Sequence, residues 1–170
     1  REGSIEMTDT AQITDTAHDH ENFLEPLDRE LAQGLSLYWD TAASILAQSS
    51  VRLQEPPQAY FSPQRNFFTA LFLYSYYRQG IAPERRVFYT AVNQCLRGMV
   101  TGCDNLLDDE YKMTLDTDLP AQGTRFRSIL DIMVSDRVLF QIMLEFCEAN
   151  GTGPQTVTRA VNASLRALAP

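Results

Sequence analysis

Apolar side chains recur every three to four residues along most of this chain, the period of a helix with one buried face. The first such run covers residues 21–48, where Phe23, Leu27, Leu31, Leu35, Tyr38 and Trp39 share a side. Gly34 interrupts it and predicts a kink. Residues 49–63 contain Pro56, Pro57 and Pro63 and read as a connection. A second helix is predicted over 66–79, ended by Gly80 at its C-cap. Its Phe67, Phe68, Leu71, Phe72, Tyr74, Tyr76 and Tyr77 leave few polar faces, which predicts a central position with the aromatic stripe in the core. Pro83 suits the first turn of a third helix, whose apolar positions run unbroken from Val87 to Leu106. A loop over 112–124 follows, then a fourth helix over 125–149 with Phe126, Ile129, Leu130, Met133, Val138 and Ile142 facing inward. Gly151 and Gly153 break it, and Pro154 starts a last helix through Val157, Val161 and Leu165. No strand pattern is present. The fold class is therefore all-α.

Residues 1–20 are polar, rich in Thr and Asp, and lack periodicity, so they read as a flexible tail before a helical domain over 21–170. The tail's His18-Asp19-His20-Glu21 reads as solvated rather than as a metal site.

The third helix ends in Asp104-Asn105-Leu106-Leu107-Asp108-Asp109-Glu110. Residues four apart stack on one face, so Asp104 and Asp108 project together, with Asp109 about a quarter-turn round. Carboxylates gathered this closely repel unless a cation sits among them. Oxygen-only ligands favour Mg²⁺, which keeps waters and takes one or two carboxylates plus substrate phosphates. The plain alternative is a solvated acidic helix end. That end is the unfavourable one for negative charge in the helix dipole, which weakens a purely decorative role.

The chain has 170 residues, enough for one domain with a real core. A net charge of −8 and a pI near 4.7 argue against nucleic acid or an anionic membrane surface as main partner. Cys95, Cys103 and Cys147 are odd in number, have no CxxC spacing and fall inside apolar runs, so buried free thiols in a reducing cytoplasmic setting are expected. No apolar run reaches the eighteen or so residues of a membrane span.

On this layout the chain resembles the trans-isoprenyl (polyprenyl) diphosphate synthase and class I terpene synthase superfamily. Asp108-Asp109 stand where the first two aspartates of the family's DDxxD motif would. Pro63-Gln64-Arg65-Asn66 resembles the GKRxRP turn, and Asp118-Leu119-Pro120-Ala121-Gln122-Gly123 the DLRRG loop. The segment from Ile132 to Phe140 is similar to the family's AILAGDYLF helix. These matches keep their order and intervals over roughly residues 60–145. The departures are specific. Lys112 replaces the last aspartate of DDxxD, and Asp104 gives instead a DxxxDD pattern that also resembles head-to-head squalene and phytoene synthases. Gln64 replaces the lysine of GKR, and Pro120 and Ala121 replace the paired arginines. The family's second acidic motif is not reached, so the resemblance is to the N-terminal half of the fold.

The resemblance implies a partial isoprenoid-synthase-like bundle around an apolar cavity, acting as a Mg²⁺-dependent prenyltransferase or terpene cyclase on a prenyl diphosphate. It places Asp104, Asp108 and Asp109 on the metal, and Arg65 and Lys112 on diphosphate. Phe68, Phe72, Tyr76, Met99 and Cys103 line the cavity. It also implies a homo- or hetero-oligomer. Two alternatives stay open: a non-catalytic prenyl synthase-like subunit acting with a partner, and an unrelated helical bundle with an acidic helix end.

Overall fold

The computed structural model describes residues 24–168, with side chains through residue 163. The tail expected over 1–20, with its His18 and His20, lies outside the described residues. The elements are α1 (Leu24–Leu46), a 3₁₀ turn (Gln58–Phe61), α2 (Phe67–Arg78), α3 (Pro83–Leu107), α4 (Thr124–Ala149) and α5 (Gln155–Leu168). No strand occurs among the described residues, so the chain is all-α there. No helix among them is long and apolar enough to cross a membrane.

The core forms where α1, α3 and α4 meet. Leu31, Leu35, Tyr38 and Ala42 of α1 pack with Ala91 and Cys95 of α3 and with Val134, Val138 and Ile142 of α4. α2 lies on the flank of α3, and α5 packs on α4. Close approach of the three long helices depends on small residues. α1 runs unbroken through Gly34, where a Cβ would lie 2.5 Å from the Thr90 side chain of α3. Gly34 therefore serves a tight crossing rather than the expected kink. At Gly102 of α3, a Cβ would meet Ile132 of α4 at 2.6 Å. Inside this core Tyr38 and Ser135 share a hydrogen bond of 3.0 Å, while the buried Thr90 hydroxyl and Gln94 Oε1 find no partner among the described residues. At the other end of α1, Arg86 Nε donates to Glu30 Oε2 at 2.7 Å in a buried ion pair.

Three expectations are corrected. α2 is peripheral, not central: Thr69 and Leu73 are its buried residues, while Phe67 and Phe68 are 63% and 74% exposed. On α4, Phe126, Ile129 and Met133 face outward, and Arg127, Ser128, Asp131 and Ser135 take the buried side. Their partners lie on the preceding loop, on α1 and on α3, so most of the polar stripe is satisfied inside, Arg127 Nε excepted. Of the thiols, Cys95 is buried, Cys147 half-buried and Cys103 exposed.

The loop over 108–123 is strapped down at several points. Asp116 C=O accepts from Gln54 N–H at 2.8 Å, and Asp118 N–H donates to Arg52 C=O at 3.0 Å. Leu115, just before them, and Thr117, between them, are buried. This strap fixes the chain that follows the acidic end of α3.

Candidate functional site

The acidic end of α3 is held by its one amide. Asn105 is buried, and its side chain accepts Lys112 N–H at 2.8 Å and donates to Lys112 C=O at 3.0 Å. That double bond to one backbone unit folds residues 106–111 into a fixed turn. Asp108 caps the helix, its N–H donating to Asp104 C=O at 2.8 Å. Asp104 and Asp108 are exposed, one turn apart, with no ion-pair partner among the described residues. Asp109 follows with φ +53°, a left-handed conformation. Its Oδ1 meets Arg125 Nη2 at 3.0 Å. Lys112 Nζ pairs with Glu110 at 3.2 Å, not with Asp108. Among the described residues no three carboxylate, imidazole or thiol groups converge to hold a metal. A hard cation held by Asp104 and Asp108 would have to take its other ligands from water and phosphate.

Upstream on α3 a trough of about 690 Å³ opens against α2. Phe68 and Phe72 line it from α2 and Leu96 and Val100 from α3, with Arg65 and Arg97 among its lining residues. Arg97 precedes Asp104 by seven residues, two helical turns, so both lie on one side of α3, about 10 Å apart along the axis. Arg97 Nη1 donates to Asn66 Oδ1 at 2.9 Å, and neither arginine meets a carboxylate among the described residues. A polar notch behind them is lined by Tyr60, Gln94, Met113 and Thr114. Burial pushes the Tyr60 hydroxyl well up, and the Arg97 and Arg65 guanidiniums pull it back, a sign of how near both stand.

The remaining expected site residues lie elsewhere. Tyr76 packs against Tyr89 at 5.3 Å between ring centroids and accepts Asn93 Nδ2 at 3.4 Å. Met99 packs against the core. Cys103 is exposed beside Asp104. Thus Arg65, Phe68 and Phe72 share the trough, Asp104 and Asp108 share a stripe, and the others are not gathered with them.

Sequence reasoning missed Arg97, Asn105, Arg127 and Asp131. Asp131, only 1% exposed, accepts Thr114 Oγ1 at 2.7 Å. Burial pushes its carboxyl up to about 6, against the opposing pull of the Thr114 hydroxyl and the Arg127 guanidinium. Arg127 in turn donates to the Thr117 and Leu119 carbonyls at 2.8 and 2.6 Å. The one signal in the sequence was a single acid inside the apolar stretch from Ile129 to Val134.

Taken together, two carboxylates and two guanidiniums that lack a counter-charge among the described residues share one helix and its neighbours with an aromatic-aliphatic trough. The arrangement suits a ligand with an anionic head and an apolar body. Comparison with known protein families, curated proteins and solved structures yields no match for the chain.

Proposed function

We propose that the chain is a Mg²⁺-dependent isoprenoid synthase that ionises an allylic prenyl diphosphate, as a prenyltransferase or a terpene cyclase does. The observation that carries this reading is the trough between α2 and α3, apolar along Phe68, Phe72, Leu96 and Val100 and charged at Arg65 and Arg97. Asp104 lies one turn beyond Val100. Asp104 and Asp108 would hold Mg²⁺, which supplies Lewis-acid neutralisation of the leaving diphosphate. Arg65 and Arg97 donate charge-assisted hydrogen bonds to phosphate oxygens, as planar guanidiniums do best. The Phe68 and Phe72 rings offer apolar surface to the body of the ligand and their faces to a developing carbocation. Asp109 and Lys112, engaged with Arg125 and Glu110, adjust the charge around that site rather than joining it.

A second reading has its own support. Large apolar side chains stand exposed on α2, α3 and α4, with Phe68 at 74%, Leu107 at 83% and Phe126 at 58%. Such exposure suits a surface meant for a partner, and a non-catalytic subunit paired with an active synthase uses the same features.

The test is diphosphate release from an allylic prenyl diphosphate in the presence of Mg²⁺. The synthase reading expects release that disappears in Asp104→Ala and Asp108→Ala. Binding without release points to the non-catalytic subunit. Release unaffected by both substitutions contradicts the site.

A further inference from the structure

We propose that α3 is a self-association helix, which pairs antiparallel with α3 of a second copy of this chain. Leu96, Val100, Cys103 and Leu107 follow one another at spacings of four, three and four residues, the seam spacing of a coiled coil. All four are exposed. The other side of the same turns belongs to the core, where Cys95, Gly98, Gly102 and Asn105 are buried. α2 starts at Phe67, and on α3 the trough between them reaches Thr101, so Cys103 and Leu107 run on past it. The seam is thus a second apolar face on a helix whose first face is already used.

Charge sets the occupant and its direction. Arg97 and Asp104 directly follow the seam residues Leu96 and Cys103, so they stand on one flank of the seam, two turns apart. Neither meets an opposite charge among the described residues. Let two copies of α3 run antiparallel about a two-fold axis between residues 101 and 102. Leu96 of each copy then meets Leu107 of the other, and Val100 meets Cys103. The Arg97 of each copy faces the Asp104 of the other with about 3 Å of axial offset, within reach of a guanidinium, and the two-fold makes the pair twice. A parallel arrangement sets this flank against the opposite one, which carries Met99 and Leu106, and forms no ion pair.

The area is sufficient. Phe67, Phe68 and Phe72 of α2 adjoin Leu96 and Val100 in the trough, and Leu107 extends the patch. At on the order of 150–200 Å² per large side chain, the exposed parts of these six offer roughly 600–750 Å². With Arg97, Thr101 and Asp104 among them, the patch approaches the roughly 800 Å² per partner of a standard specific interface. The pairing does not rest on the diphosphate reading. On that reading, Arg97 and Asp104 also serve phosphate and Mg²⁺, so ligand and second copy exclude one another.

The test is sedimentation velocity of the full chain without metal or ligand, for wild type, Arg97→Asp, Asp104→Arg and an equal mixture of the two variants. Wild type is expected to dimerise. Each variant alone sets like charges against each other twice and is expected to dimerise at least about 10-fold more weakly. In the mixture, each copy meets opposite charge on the other, and dimerisation is expected to return. Wild type that stays monomeric, variants that associate like wild type, or a mixture no stronger than its components overturns the proposal. Should either variant fail to fold, cross-linking of wild type with a short bismaleimide decides. The two Cys103 side chains lie about 4.5 Å apart along the axis in this pairing, so the proposal expects linked dimers that disappear in Cys103→Ser. Dimers that persist in Cys103→Ser, or none in wild type, overturn it.

Discussion

Asp131 and Glu30 show how differently two buried carboxylates behave. Glu30 is matched in full by the Arg86 guanidinium, and the pair closes the start of α1 onto the start of α3. Removing one member leaves the other charged and buried, so Glu30→Ala is expected to cost about 3–5 kcal/mol in urea denaturation. Asp131 lacks such a partner. Its folded-state affinity for protons is raised, so its contribution to stability is complete below the ordinary carboxylate value and is lost as pH rises through about 6. Asp131→Asn keeps an acceptor for Thr114 and removes the titration. At about pH 7 the variant is expected to be more stable by on the order of 1–2 kcal/mol, with the two proteins converging toward about pH 4. Wild type stabilised relative to the variant as pH rises would contradict this sign.

At the scale of elements, the helices were legible because their apolar spacing is local, and α3 and α4 fall within a residue or so of the ranges read from sequence. Which face each helix buries was less legible, since that depends on what the face meets. α4 turns Arg127 and Asp131 inward because Thr117, Leu119 and Thr114 wait there on a loop that has no period to read. α2 turns Phe68 and Phe72 outward because the wall opposite them across the trough is itself α3's exposed stripe. Asn105 was hidden for a related reason: within an acidic run it reads as one more polar ligand, whereas its amide clamps Lys112. Asn105→Ala leaves that backbone unit without its partner and is expected to cost about 1–3 kcal/mol. It should also weaken Mg²⁺-dependent ligand binding by loosening the turn that carries Asp108. An unchanged stability and affinity would assign the clamp no role.

For the molecule as a whole, three long helices build a core whose outer side carries large apolar residues from α2, α3 and α4. Surfaces of that kind favour association. Sedimentation velocity is therefore expected to show concentration-dependent self-association, reduced in Leu107→Ser; a monomer at every concentration would remove the partner surface from the account. The central claim is narrower. It holds that the trough and the two unpaired carboxylates of α3 form one site for a prenyl diphosphate and Mg²⁺. Calorimetric titration of a prenyl diphosphate into wild type and Asp108→Ala, each with and without Mg²⁺, tests this most directly. The account predicts binding to wild type that requires Mg²⁺ and is lost in the variant; binding that ignores both the metal and the substitution, or none in folded wild type, would contradict it.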